Sequence, residues 1–184
     1  MDFDPSWFTE ARDTFNRTGR YCSYLYGSKA FNDFWREQYK RCKYGMTVNG
    51  YTVTGDHYYF LNFYQLKDLD STQEAGSGRT TIFPDFMEGQ YEWFHYLLMA
   101  KRLKMNACMM KAREAGYSEI EASIISKSYT VIKGSVNVCC AFAEVQLNKL
   151  WEKIESNLSF LDLNTDGGFS HGRLVDSANL KRSG

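Results

Sequence analysis

Proline is scarce in this sequence, with two among 184 residues, where ordinary usage near about 5% would give roughly nine. So few breaks in the chain predict a high content of regular secondary structure. A net charge is also missing, because 22 lysine and arginine residues balance 22 aspartate and glutamate residues. This balance excludes a uniformly basic nucleic-acid coat and an acidic tail protein.

Long apolar stretches are absent too, because no run approaches the roughly 20 apolar residues that a membrane-spanning helix needs. The first four residues, MDFD, are acidic and polar, so we expect no secretory leader. The five cysteines contain no CxxC spacing, which disfavours a zinc site. We therefore expect reduced cysteines, packed as small apolar residues, in a reducing compartment.

Aromatic residues are abundant at 16% of the chain, which excludes overall disorder. In the N-terminal half, apolar residues at helical spacing predict an amphipathic helix over 29–42. Asn49 and Gly50 lie between short β-prone runs and predict a β-hairpin. The dense aromatic run at 57–66 fits a buried strand or a short helix, and we expect a strand followed by a turn. The polar, glycine-containing segment 67–79 is expected to be a mobile linker.

The second half of the sequence alternates between helical and strand-like patterns. Two short apolar runs have the length of strands, and the later one has the composition of a strand covered on both faces. Alternation of this kind is typical of a βαβα unit with parallel neighbouring strands. The predicted elements are, in order, a helix after Pro84, a strand at 106–111, a helix at 119–132, a strand at 136–142 and a helix at 143–160.

The segment KAREAGYS at 111–118 lies between a predicted strand and a predicted helix. A phosphate-binding loop needs this placement, because backbone N–H groups at a helix N-terminus favour a polyphosphate. Gly116 and Ser118 fit the end of the pattern GxxxxGK[ST], whereas Tyr117 stands at the lysine position and Lys111 at the first glycine. The alternative is an ordinary helix start, in which Ser118 caps the helix and Glu121 completes a capping box.

The segment MMKAREAGYSEIEAS resembles the deviant Walker A loop of large terminase subunits, the DNA-packaging motors of tailed bacteriophages. In some members of that family the lysine lies at the start of the loop, before an arginine, and the loop ends in Gly-Tyr-Ser or Gly-Phe-Ser. The matching residues here are Lys111, Arg113, Gly116, Tyr117 and Ser118, and the departure is Glu114-Ala115. The segments FWREQYKRCKYGMTVNGYTVTGDHYYFLNFYQL and FPDFMEGQYEWFH also resemble parts of one terminase subgroup, so the resemblance covers roughly 30–160.

The resemblance implies that ATP and Mg²⁺ bind at the loop. In that reading Lys111 contacts the terminal phosphates and the Ser118 hydroxyl ligates Mg²⁺. Arg113 is a phosphate ligand or a sensor of hydrolysis, with a solvated loop arginine as the alternative. Gln90 or Gln65 reaches the adenine, although Gln90 also fits a helix surface. The complete implied ATP-binding set is Lys111, Ala112, Arg113, Glu114, Ala115, Gly116, Tyr117 and Ser118.

The expected fold is α/β, a partial P-loop (ASCE-type) parallel sheet preceded by an aromatic-rich, mainly helical region. The expected domains are an arm or lid at 1–80, an incomplete P-loop ATPase core at 81–165 and a loose tail at 166–184. No strand ending in acidic residues follows 136–142, and no nuclease domain is recognisable. The sequence therefore predicts an N-terminal fragment of a terminase large subunit that binds ATP without motor-like turnover.

Implied partners are ATP and a portal protein or small terminase subunit, with DNA bound only by a full-length motor. The implied location is the host cytoplasm, away from membranes. The alternative function is a non-catalytic interaction module that keeps the terminase fold and docks on a viral or host protein. An unrelated helical scaffold rich in aromatics is a third possibility. A large exposed aromatic patch in the N-terminal half would favour the interaction module.

Overall fold

A computed structural model describes residues 3–67, 81–110 and 116–169. Within these ranges the chain is mainly helical, with two short pairs of antiparallel strands. The predicted linker at 67–79 falls almost entirely outside the described residues. After a 3₁₀ turn at Pro5–Phe8, the elements are α1 (Glu10–Thr18), α2 (Lys29–Tyr44), β1 (Met46–Val48), β2 (Tyr51–Val53), α3 (Gly55–Phe63), β3 (Leu66–Lys67), β4 (Thr81–Ile82), α4 (Glu88–Leu103), α5 (Tyr117–Val131) and α6 (Glu144–Asn164).

Helical spacing of apolar residues predicted four of the six α-helices in the described ranges. The helices expected at 29–42, 119–132 and 143–160 are confirmed as α2, α5 and α6, and the helix after Pro84 is α4. The hairpin is confirmed as well, since β1 pairs antiparallel with β2. Asn49 and Gly50 connect the two strands with φ of 50° and 84°, the left-handed geometry that a tight two-residue hairpin turn requires.

Helix α3 lies at the centre of the fold, and all nine of its residues are buried. It packs against α1, α2, α4 and α5. The strand expected over 57–66 is therefore wrong for most of that range. A helix covered on every side is apolar all round, so its sequence lacks the periodicity that would separate it from a buried strand. The Thr54 side chain begins the helix by accepting a hydrogen bond from the His57 backbone N–H at 3.2 Å.

The predicted parallel sheet is not formed by the described residues. Residues 106–110 and 136–142 have no regular secondary structure, and both strand pairs in the described ranges are antiparallel. Val136, Val138 and Phe142 are 87%, 83% and 101% exposed, so the later run lacks the two covering layers that its composition predicted. A β-strand needs an adjacent strand to pair with its backbone N–H and C=O groups. Here α5 and α6 pack directly on each other instead of on the faces of a sheet.

Two clusters of buried side chains form the core, and each contains residues from before and after position 80. The first surrounds Trp35 and Phe63, and it includes Phe83 and Phe169. The second is centred on Phe94 and joins α3 to α4, α5 and α6. The tail expected to be loose from 166 onward thus contains, at its fourth position, the fully buried Phe169, which contacts the Trp35 ring edge-on at 5.3 Å. The rest of the tail lies outside the described residues.

A buried ion cluster connects α3 with α4 and α5. The carboxylate of Asp56 is 2.6 Å from the Lys127 ammonium and 2.9 Å from the Lys101 ammonium. The side chains of Asp56 and Lys127 are each only 7% exposed. Burial by itself raises the pKa of Asp56, but the two lysines outweigh that effect and hold the pKa below its ordinary value. The carboxylate is therefore ionised at neutral pH.

We expect Asp56→Asn to lower the free energy of unfolding by about 3 kcal/mol, because Lys127 is then buried without an opposite charge. The measurement is urea unfolding followed by tryptophan fluorescence at pH 7. Asp85→Asn is the control, since Asp85 is 94% exposed and its loss should change stability by less than about 0.5 kcal/mol. Similar losses in the two variants would contradict a special role for the buried cluster.

His57 is fully buried in α3, among aromatic rings of α4 and the segment before it. Its ring stacks on Phe94 at 4.7 Å and lies 5.2 Å from Phe86. Neither ring nitrogen has a hydrogen-bond partner within the described part of the chain. Burial, followed by the proximity of His95, lowers the pKa of His57 to about 3. The imidazole is consequently neutral in the folded protein well below pH 6.

This depressed pKa predicts a loss of stability in mild acid. Between the folded pKa of about 3 and the unfolded value near 6.5, the unfolded chain binds more protons, so stability falls as the pH drops below 6.5. From pH 7 to pH 5 the contribution is about 2 kcal/mol. His57→Phe keeps an aromatic ring and should remove that part of the pH dependence. Parallel urea titrations at the two pH values test this, and an identical pH dependence in both proteins would contradict it.

Candidate functional site

The candidate site lies where the chain enters α5. Gly116 is the N-cap residue, with φ of 73°, and no side chain among the described residues caps the helix. The capping box expected from Ser118 and Glu121 is therefore wrong, because the helix begins at Tyr117 and places Ser118 in its first turn. A glycine in the left-handed region leaves the first backbone N–H groups of α5 uncovered by a capping side chain. Such groups carry partial positive charge and favour an anion.

Gln90 in the first turn of α4 lies beside this helix start. Its residue is 7% exposed, and its side-chain amide nitrogen is 3.5 Å from the place that a Cβ on Gly116 would occupy. The amide oxygen of Gln90 has no hydrogen-bond partner among the described residues. An unpaired buried amide is costly, so this side chain is a candidate to receive a ligand. Of the two glutamines predicted to contact adenine, Gln90 is the one adjacent to Gly116.

A chain of polar contacts crosses the first turn of α5. The Lys153 ammonium, from α6, donates to the Ser118 hydroxyl at 3.0 Å and pairs with the Glu119 carboxylate at 2.6 Å. The Tyr64 hydroxyl donates to the other oxygen of the same carboxylate at 2.6 Å. Burial, and then the charge of Glu119, raise the pKa of Tyr64, so the phenol stays a donor. The Ser118 hydroxyl predicted to ligate Mg²⁺ thus contacts an ammonium group.

The remaining predicted site residues are divided between the described and undescribed parts of the chain. Tyr117 is described, and its ring contacts the Trp93 ring edge-on at 5.9 Å. The Gln65 amide oxygen accepts a hydrogen bond from the Thr81 hydroxyl, next to the β3–β4 pair, instead of contacting Gly116. The remaining members of the predicted set lie outside the described residues: Lys111, Ala112, Arg113, Glu114 and Ala115.

Sequence reasoning missed Glu119 and Lys153 at this site, and it considered Tyr64 only among the aromatics near Gln65 that could reach the adenine. The acidic Glu119 carried a weak signal, because acidic residues are favoured in the first turn of a helix. Lys153 carried none, since it lies 35 positions beyond Ser118 and reaches the site only because α5 packs against α6. No loop pattern would identify a cation that comes from the next helix.

Metal-binding clusters and membrane-spanning helices are both missing from residues 3–67, 81–110 and 116–169. Three or more histidine, cysteine, aspartate or glutamate side chains do not come together there in a group that could hold a metal ion. Every helix within those ranges is too short or too polar to cross a bilayer. The five cysteines are all free thiols.

A cavity of about 370 Å³ lies between α1 and α2 and is lined only by residues 10–41. Tyr21, Tyr24 and Phe34 form its aromatic side, and Glu37 and Arg41 pair at 3.2 Å beside it. None of the residues at the start of α5 contributes to it. The cavity and the helix N-terminus are therefore two separate candidate sites.

Comparisons with known proteins name no family for this chain. No protein-family model matches it, and no curated protein or solved structure is found to be similar to it. Any functional assignment therefore depends on the geometry of the two candidate sites, and the terminase resemblance over roughly 30–160 stays a prediction from the sequence.

The left-handed N-cap predicts that Gly116→Ala lowers the free energy of unfolding by about 1 kcal/mol, because a Cβ is strained in this backbone region. The nearest side-chain atom would be in ordinary contact at 3.5 Å, so crowding adds little. Gly89→Ala is the matched control: it lies in the first turn of α4, where nothing is within 4 Å of the added Cβ, and should lose no stability. Thermal unfolding of both variants distinguishes backbone strain from a general effect of added methyl groups.

Proposed function

We propose that the chain binds ATP with Mg²⁺ at the turn into α5, as an N-terminal part of a viral DNA-packaging terminase large subunit. The observation that carries the proposal is the juxtaposition of Gly116 and Gln90. Among the described residues, a helix N-terminus without a side-chain cap lies next to a buried amide whose oxygen has no partner. The first feature is suited to phosphates and the second to a nucleobase, and the two are a few ångströms apart.

The helix start supports the phosphate half of the proposal. Backbone N–H groups at the N-terminus of α5 supply partial positive charge without a titratable group. The glycine at the N-cap lets an anion approach the backbone closely. In the terminase reading, Lys111 contacts the terminal phosphates and Arg113 is a phosphate ligand or a sensor of hydrolysis. The Ser118 hydroxyl ligates Mg²⁺ once it has given up its contact with the Lys153 ammonium.

Gln90 supports the adenine half. A glutamine amide pairs with adenine through two hydrogen bonds, because its oxygen accepts from the N6 amino group and its nitrogen donates to N7. The Gln90 oxygen is the atom that has no partner in the described part of the protein. Guanine offers an oxygen at the corresponding position, so the same amide would face two acceptors with one donor. Gln90 therefore favours ATP over GTP.

A P-loop-type parallel sheet is the finer fold assignment within this proposal. The runs at 106–110 and 136–142 flank α5 in sequence, as the strands of a P-loop unit do. Val136, Val138 and Phe142 are exposed, so the later run is accessible to a neighbouring strand. In a full-length motor, further strands would pair with these two runs and cover them.

The second candidate function is a non-catalytic interaction module that docks on a viral or host protein, such as a portal or small terminase subunit. The observation that favours it is the exposed segment Tyr24, Leu25 and Tyr26, at 50%, 81% and 73% exposure. Tyr24 also lines the cavity between α1 and α2. Neighbouring exposed aromatic and aliphatic residues are typical of a protein-binding surface.

Titration of a fluorescent ATP analogue with Mg²⁺ tests the leading proposal. We expect saturable binding that competes with ATP better than with GTP. Lys111→Ala should weaken binding at least about tenfold, because the terminal phosphates lose a charge partner. Gln90→Leu should remove the preference for ATP, worth about tenfold, while leaving the protein folded, because it removes an amide oxygen that is buried without a partner among the described residues.

Lys104→Ala, at the exposed end of α4, is the control for general loss of positive charge and should bind like the native chain. The absence of saturable binding by the native protein would contradict nucleotide binding and leave the interaction module as the better reading. Retention of the preference for ATP in Gln90→Leu would remove Gln90 from the adenine site.

A further inference from the structure

Lys153 is placed where the phosphate-binding pattern lacks a cation. The pattern GxxxxGK[ST] has a lysine immediately after the second glycine, and Tyr117 stands at that position here. The Lys153 ammonium approaches the same turn from α6 and lies 3.0 Å from the Ser118 hydroxyl. Its side chain is 26% exposed, so the charge is accessible to a ligand at the helix start.

We infer that Lys153 binds the phosphates of a nucleoside polyphosphate at the N-terminus of α5. In the absence of ligand, Glu119 holds the Lys153 ammonium, and the phosphates replace the Glu119 carboxylate as its partner. The inference deepens the proposed function and depends on it for the identity of the ligand. It assigns to α6 a binding residue that the loop pattern does not contain.

Two independent features support an anion site made of described residues. One is the N-terminus of α5, a helix of 15 residues whose N-cap Gly116 provides no capping side chain. The other is Gln90, more than nine-tenths buried, with its amide against Gly116 and its oxygen unpaired. The helix dipole and the Lys153 ammonium attract negative charge, whereas the Gln90 amide suits a neutral polar group. Together they fit a ligand with a polyphosphate and a base.

Glu119 acts as an internal competitor for the same cation. Its carboxylate lies in the first turn of α5, 2.6 Å from the ammonium of Lys153, and it is itself an anion at a helix N-terminus. A phosphate oxygen that binds Lys153 must replace the Glu119 carboxylate as the partner of the ammonium group. Glu119 keeps the hydrogen bond from the Tyr64 hydroxyl, so the carboxylate retains a partner after Lys153 has moved to the ligand.

The two charges therefore predict opposite effects on binding. Lys153→Met should weaken binding of a fluorescent ATP analogue about tenfold, because it removes a charge-assisted contact. It should weaken the matching AMP analogue less, because fewer phosphates are present. Glu119→Gln should tighten binding of the ATP analogue several-fold, since it removes both the competing carboxylate and its repulsion of the phosphates. A purely structural ion pair would make both variants bind less well.

Two further variants keep the experiment interpretable. Lys149→Met lies on α6 one turn before Lys153, at an exposed position, and should bind like the native chain. Lys153→Arg keeps the charge and should restore most of the affinity lost in Lys153→Met. Circular dichroism at the assay temperature establishes that each variant is folded, and Lys153→Arg together with Glu119→Gln decides the matter if Lys153→Met does not fold.

Inorganic tripolyphosphate, titrated by calorimetry, separates this inference from the proposed function. Binding of tripolyphosphate that depends on Lys153, without any preference for ATP over GTP, would support the phosphate site and overturn the ATP assignment. Binding of the ATP analogue that is equal in Lys153→Met and Lys149→Met would overturn the role of Lys153 and leave ATP binding standing. No binding of either ligand by the native chain would overturn both.

Discussion

Complete burial of helix α3 is the constraint on which the rest of the structure depends. A helix with no solvent-facing side must find protein partners for every polar side chain that it carries. The surrounding elements supply nearly all of them. The contacts are Asp56 with Lys127 and Lys101, Tyr58 with Gln38, Tyr59 with Asn157, and Asn62 with the Phe8 carbonyl. Each of these contacts fixes one neighbour, so α3 sets the positions of α2, α4, α5 and α6 as well as that of the N-terminal turn.

Helix α5 connects this buried centre to the candidate site. Lys127, in its C-terminal half, is held by Asp56 of α3 at 2.6 Å, while its first turn carries Ser118 and Glu119. Packing of α5 on α6 then brings Lys153 to that first turn. The position of the candidate ligand-binding groups is thus set by the core, even though the groups themselves lie near the surface. The buried ion pair of Lys127 holds the C-terminal half of α5 in place, so the direction of its N-terminus is fixed as well.

The parts of the fold that sequence reasoning predicted are those with local signals. Helices with one buried stripe are recognisable from the helical spacing of their apolar residues, and Asn49-Gly50 predicted the turn of the hairpin. Helix α3 lacks a stripe because it lacks an exposed side, so its pattern matched a strand equally well. The runs at 106–110 and 136–142 have strand composition, but pairing depends on a neighbour that no local pattern reveals. At the site, motif spacing found Gly116 and Ser118, and Gln90 came only from the family resemblance. It missed Lys153, whose place depends on how two helices pack.

The exposed run between α5 and α6 has a consequence for the protein in solution. From Gly134 to Ala143 the chain carries no charged residue, and Val136, Val138 and Phe142 project into water. Proteins usually protect such β-prone segments with charges, prolines or a covering element, and this run has none of the three within the described residues. Uncovered, it is a template for intermolecular β-pairing of the kind that nucleates fibrils. These ten uncharged residues, and not the buried aromatic interior, therefore offer neighbouring chains an exposed β-prone segment.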